Sequence, residues 1–128
     1  MKKILLLSVI IVNVFALSSE EKLLLAHLFT ELFHKPVVKI YSKEVKSFTP
    51  KNIILVKNCN NADLILGKSD DKNCSKPVFV LNYYDYKNDK NAIGAFYWRK
   101  GRPQVRLRKR LILNYHLYVT DDMKDFLE

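Results

Sequence analysis

Glycine is scarce, with three in 128 residues. So few glycines nearly exclude a phosphate cradle, because loops of that kind need several residues without a Cβ. Neither Gly-X-Ser-X-Gly nor His-Glu-X-X-His occurs, which removes the hydrolase nucleophile elbow and the zincin helix. Cysteine is limited to Cys59 and Cys74, with no Cys-X-X-Cys, and the three histidines have no zinc spacing. A redox motif and a zinc cluster are therefore not expected. No cofactor motif remains, and Asp63, Asp85 and Asp89 read as loop and turn carboxylates rather than as a general acid and base. The chain is expected to be non-enzymatic.

What is present begins with Met1-Lys-Lys3, an apolar run from 4 to 16 and small residues Val14 and Ala16 ahead of a cut after Ala16. This is the charge, apolar stretch and small-residue order of a secretory signal. The run is shorter than the roughly 20 residues of a spanning helix, so no membrane anchor is expected after cleavage. No cysteine follows the cut to carry a lipid. The protein is therefore read as periplasmic or secreted, with residues 17–128 forming a single α/β domain. In an oxidising compartment Cys59 and Cys74 are best paired as a disulfide, worth about 3 kcal/mol for a loop of about fifteen residues.

The fold class expected is α/β: a small single-domain sandwich with an N-terminal helix, a mixed sheet of about five to six strands, a C-terminal β-hairpin and a short helix. Ser18-Ser-Glu-Glu21 is a capping box ahead of a helix over 22–34. Leu24, Leu25, Leu28, Phe29, Leu32 and Phe33 mark its buried stripe, with Lys22, His27, Thr30, Glu31 and His34 outward. His27 and His34 lie about 10 Å apart along such a helix, too far to share one metal ion. Strands are predicted over 37–41, 53–56, 62–67 and 77–81, the third nearly continuous in apolar residues and so buried on both faces. Residues 83–91 read as an acidic and aromatic loop, 109–115 as one helical turn, and 120–127 as a short helix capped by Thr120.

The stretch from Ala92 to Arg110 concentrates aromatic surface and charge. Without residues 1–16 the chain has twenty Lys and Arg against thirteen acids, a net of plus seven. Arg99 to Arg110 alone holds seven basic residues and no acid. Two β-prone runs, 93–98 and 104–108, flank Arg99-Lys-Gly-Arg102 and predict a hairpin. A two-residue Lys100-Gly101 loop pairs Phe96 with Val105; a type I turn closed by a Gly101 bulge pairs Ala95 with Val105. The bulge is favoured because a left-handed Lys100 costs about 1 kcal/mol or more. Ile93, Ala95, Tyr97, Val105 and Leu107 then face the core. Phe96 and Trp98 share the other face with Arg102, Gln104, Arg106 and Arg108, giving a cation-rich ribbon suited to binding. The alternative is that a helix covers this face, with the arginines at its rim. On the binding reading, removing Arg106 and Arg108 should leave folding nearly intact. A solvated, charge-protected strand edge accounts for the same arginines without any partner.

From Ile93 the order Ile-Gly-Ala-Phe-Tyr-Trp-Arg-Lys-Gly-Arg, then Val-Arg-Leu-Arg, then Leu117-Tyr-Val-Thr-Asp-Asp-Met123 resembles the C-terminal half of YfiR-like periplasmic proteins. Residues 62–67, 78–81 and 23–33 match two earlier strands and the opening helix of that family, with an abbreviated middle. The resemblance implies a compact α/β regulator that binds the periplasmic part of a membrane-bound signalling enzyme, typically a diguanylate cyclase, and restrains it by contact. The expected partner-binding residues are Phe96, Trp98, Arg102, Arg106 and Arg108. An alternative is a reduced solute-binding domain for a small anionic ligand, since Ala62-Asp-Leu-Ile-Leu-Gly67 looks similar to strands lining ligand clefts. Nucleic acid suits the chemistry but not an exported location, and is not an expected partner.

Overall fold

The computed structural model describes residues 17–68 and 74–128, so the signal expected over 1–16 lies outside the described residues. The Ser18 hydroxyl accepts the Glu21 N–H at 3.1 Å and the Glu21 carboxylate accepts the Ser18 N–H at 2.8 Å, closing the capping box. Helix α1 (Ser19–Phe33) follows and ends at His34, whose left-handed backbone returns its N–H to the Glu31 and Thr30 carbonyls. Leu25, Ala26, Leu28, Phe29 and Leu32 are its buried residues. Leu24, expected in the stripe, is 43% exposed. Each residue turns about 100° around the axis, and an arc centred on Leu25, Leu28, Phe29 and Leu32 leaves Leu24 at its rim.

The strands are β1 (Val38–Tyr41), β2 (Ile53–Leu55), β3 (Leu64–Leu66), β4 (Val78–Val80), β5 (Ala92–Arg99) and β6 (Arg102–Leu107). They form one mixed sheet in the order β2-β1-β3-β4-β5-β6, parallel except for the β5–β6 hairpin. Every residue of β3 is buried, as its unbroken apolar run predicts for a central parallel strand. One face of the sheet carries the main core, where Val38, Ile40, Leu64, Leu66, Phe79 and Phe96 pack on Leu25, Phe29 and Leu32 of α1. The Phe29 and Phe79 rings meet edge to face at 5.0 Å. A smaller cluster of Val80, Tyr86, Ala92, Ala95 and Tyr97 fills part of the opposite face. The expected α/β architecture is present.

Residues 83–88, expected as loop, are instead helix α2 (Tyr83–Asn88). Asn82 starts it: the side-chain oxygen accepts the Asp85 N–H at 2.8 Å, and the side-chain amide donates to the Asp85 carboxylate at 2.7 Å. That is a reciprocal cap made without Ser or Glu, which an S/T-X-X-E search passes over. Helix α3 (Lys109–Asn114) and a 3₁₀ segment (Asp121–Phe126) bring Leu111, Ile112 and Met123 to the main core. Thr120 makes no capping bond; its hydroxyl donates to Glu31 at 3.1 Å and ties the C-terminal segment to α1.

The hairpin takes the register that was not favoured. Phe96 pairs with Val105, Trp98 with Pro103 and Arg99 with Arg102. Lys100 (φ 52) and Gly101 (φ 76) are both left-handed, as a two-residue loop with native twist requires. A left-handed Lys100 costs about 1–2 kcal/mol, whereas full burial of a Val or Leu side chain is worth about 1.5–3 kcal/mol. This register puts Val105 and Leu107 beside Phe96 in the main core under α1. A second device acts earlier in β5: Val78 pairs with Ala92 but Phe79 pairs with Gly94, so Ile93 is an extra residue. This bulge lets Ile93 join Phe96 in the main core while Ala92, Ala95 and Tyr97 face the other way. All five residues expected in the core are buried, yet on two faces rather than one.

Candidate functional site

The register splits the expected binding face. Phe96 is inside the main core. Trp98 is 58% exposed on the α1 side, and its indole N–H donates to the Glu21 carboxylate at 2.7 Å. Partial burial pushes the Glu21 carboxyl up, but bonds from the Ser18 N–H, Trp98 and the Ser18 hydroxyl outweigh it and hold the group below its ordinary value. Arg106 pairs with Ala95, on the side of Tyr97, and Arg102 sits opposite Arg99 at the turn. The five expected site residues therefore do not share one surface, because a one-residue change of register exchanges the two faces of β6 relative to β5.

Arg108 is held by the fold. Its guanidinium donates to the carbonyls of Asp89 (2.8 Å), Ala92 (2.8 Å) and Tyr86 (2.5 Å), and its Cζ lies 4.0 Å from the Tyr86 ring centroid. Three carbonyls and one ring take up the planar fork. It pins the loop between α2 and β5 to the end of β6. The expectation that Arg108 is a dispensable surface charge is corrected here.

What the tertiary structure does assemble on this second face is a groove with two lobes. One lobe, of about 370 Å³, is lined by Tyr86, Lys87, Lys90, Arg108, Arg110 and Glu128. The other, of about 360 Å³, adds Tyr83, Tyr97, Arg99 and Arg106 around the same Tyr86, Lys87, Arg108 and Glu128. The Tyr83 and Tyr97 rings lie 5.3 Å apart, with the Arg99 guanidinium 5.7 Å from the Tyr83 ring. Six cations thus surround three phenol rings, and Glu128 is the one acid in either lining. The ion pairs among the described residues, His27–Glu31, Lys35–Asp63 and Lys124–Asp121, all lie elsewhere.

Glu128 is positioned in the groove rather than loosely near it. Its N–H donates to the Leu107 carbonyl at 2.9 Å, its carbonyl accepts the Lys109 N–H at 3.1 Å, and Leu127 bridges to Leu107. The Tyr86 hydroxyl donates to its side-chain carboxylate at 2.9 Å. Burial, with Glu128 as acceptor, pushes the Tyr86 hydroxyl above the ordinary tyrosine range. Tyr83, Tyr86, Lys87 and Lys90 are missed by reading 83–91 as loop, although Tyr83 and Tyr86 stand at a helical i, i+3 spacing.

Other candidates resolve differently. Asp63 accepts the Lys39 N–H at 2.9 Å and pairs with Lys35 at 2.7 Å, Asp85 accepts the side-chain amide of the capping Asn82 at 2.7 Å, and Asp89 accepts the Asn91 N–H at 3.0 Å; each carboxylate has a local structural partner. His34 stacks on Tyr118 at 4.6 Å, apart from His27. His27, Glu31 and Asp122 have donor atoms within 4.8 Å of one another, a set completed only by the C-terminal segment. Cys59 and Cys74 stand at disulfide distance, with Cα atoms 6.2 Å apart, consistent with the expected pairing. No helix among the described residues is long and apolar enough to cross a membrane.

The fold and groove together define a small α/β domain with one face packed under helices and the other partly open, basic and aromatic. No family model matches the chain, and comparison with curated proteins gives no match.

Proposed function

We propose that this chain is an exported, non-catalytic regulator that docks on the extracytoplasmic part of a membrane-bound signalling protein and restrains it by contact. The observation that carries this reading is the groove between α2 and the β5–β6 hairpin, which surrounds one carboxylate with six cations and three tyrosines. Arginine and tyrosine are the side chains most often found at the energetic centre of protein interfaces. The sequence order shared with YfiR-like proteins points the same way and suggests a diguanylate cyclase as the kind of enzyme restrained. The Cys59–Cys74 pair fits an oxidising compartment.

The solute-binding reading draws less support. Open α/β sheets usually hold small ligands where the strand order reverses, which here is between β1 and β3. At that place the Ser42 hydroxyl donates to the Leu66 carbonyl at 2.6 Å and the Glu44 carboxylate accepts the Lys68 N–H at 3.2 Å. The Ser42 and Glu44 side chains at that place are thus engaged with the chain's own backbone.

The test is crosslinking in intact cells, followed by isolation of membranes. A crosslinked integral membrane protein whose signalling output rises when this chain is deleted, and whose crosslink is lost in an Arg99→Ala, Arg106→Ala double variant, is the expected result. A crosslink unaffected by the variant moves docking off the groove, and no effect of deletion on output overturns the regulatory role.

A further inference from the structure

We infer that the groove's ligand is an acidic peptide segment of the partner, and that the Glu128 side chain holds its place in the free protein; this rests on the groove being the docking face. Three features converge on a peptide. The lining is cationic in both lobes, and both lobes share Tyr86, Lys87 and Arg108, so the site is extended rather than a single anion pocket. Its walls are phenol rings, which pack against aliphatic stems while their hydroxyls meet polar ends. Its centre already accommodates a carboxylate on the Tyr86 hydroxyl at 2.9 Å.

Glu128 can leave without unfolding anything. Its backbone is fixed to β6 and α3 through Leu107 and Lys109, so only the side chain has to rotate, releasing the hydrogen bond from the Tyr86 hydroxyl. An incoming Glu or Asp side chain would replace that carboxylate on Tyr86, and neighbouring acids of the same segment would meet Lys87, Lys90, Arg99, Arg106 and Arg110. Arg108, committed to three backbone carbonyls, orients the Tyr86 ring and takes no part in exchange.

The probe is a fluorescein-labelled twelve-residue peptide of alternating Glu and Ser, measured by fluorescence polarisation against its Gln and Ser counterpart. The Glu peptide should bind with an affinity that falls as salt rises, and the Gln peptide should bind far more weakly. Glu128→Ala should tighten Glu-peptide binding by about two- to tenfold, the worth of one competing hydrogen bond, while Arg99→Ala with Arg106→Ala should weaken it. Urea midpoints of each variant separate binding changes from unfolding. Equal binding of the two peptides, or preference for phosphatidylglycerol vesicles over the Glu peptide, overturns the peptide assignment. Unchanged or weaker binding in Glu128→Ala overturns the stand-in role. A membrane-protein crosslink that survives excess Glu peptide defeats this inference alone; peptide binding without any such crosslink defeats the regulatory reading alone.

Discussion

Arg106 lies in β6 and Arg108 just past its end; they carry the same charge and do different work. Arg108 satisfies three carbonyls and stacks on Tyr86. Charge-assisted bonds of this kind contribute about 1.5–3 kcal/mol, and removing the donor leaves three partly buried acceptors bare. Arg108→Ala should therefore destabilise by about 2–4 kcal/mol by urea denaturation, and Arg108→Lys should recover only part of it, since an ammonium cannot span a planar fork. Arg106→Ala should change stability by no more than about 0.5 kcal/mol. Glu21 sets a pH dependence. Its folded pKa lies below the unfolded value, so its contribution is present above the ordinary 4.5 and is lost as pH falls through the folded value. Trp98→Phe removes one of the bonds that lower it, and the variant should lose less stability than the parent between neutral and strongly acidic pH. Equal acid losses in thermal melts would show that the Trp98–Glu21 bond contributes nothing.

Among the elements, the hairpin decides where the chemistry goes. Its two-residue loop and the extra Ile93 act together: the loop fixes β6 against β5, and the bulge turns β5 so that both Ile93 and Phe96 reach the main core. Gly94 lets β6 lie close against β5, since a Cβ there would lie 2.5 Å from the Arg106 carbonyl oxygen and 2.8 Å from Leu107 Cδ2. Gly94→Ala should push β6 away and destabilise by about 1–3 kcal/mol. A two-dimensional NMR spectrum should place the largest shifts in β5 and β6. Helix α2 is the other decisive element, because its first and second turns supply Tyr83, Tyr86 and Lys87 to the groove.

For the molecule as a whole, the core is asymmetric. The larger cluster lies on the α1 side, while among the described residues the smaller cluster on the opposite face gathers residues of α2, β4 and β5. The Cys59–Cys74 pair lies outside the hairpin, linking the 3₁₀ turn before β3 to the segment leading into β4. Closing a loop of that length should contribute about 3 kcal/mol. Reduction should lower the urea midpoint accordingly while leaving affinity at the groove unchanged in the folded protein. A fall in affinity without a fall in stability would instead link the bond to the site.

Sequence alone determined whatever is decided within a few residues. The Ser18–Glu21 capping box, the buried run of β3, the cysteine pair and the existence of the hairpin are all local patterns of chemistry and period. Tertiary structure decided which side of the sheet each hairpin residue faces. Both sides of β5 are apolar enough to be buried, so alternation could not rank them, and a one-residue choice of register rested on the balance between a left-handed Lys100 and the burial of Val105 and Leu107 beside Phe96. The groove was likewise beyond local reading: Tyr86, Arg108 and Glu128 are distant in the chain, and only the packing of α2 on β5, with the C-terminal segment bridged to β6, places a carboxylate, a phenol and a fixed guanidinium together.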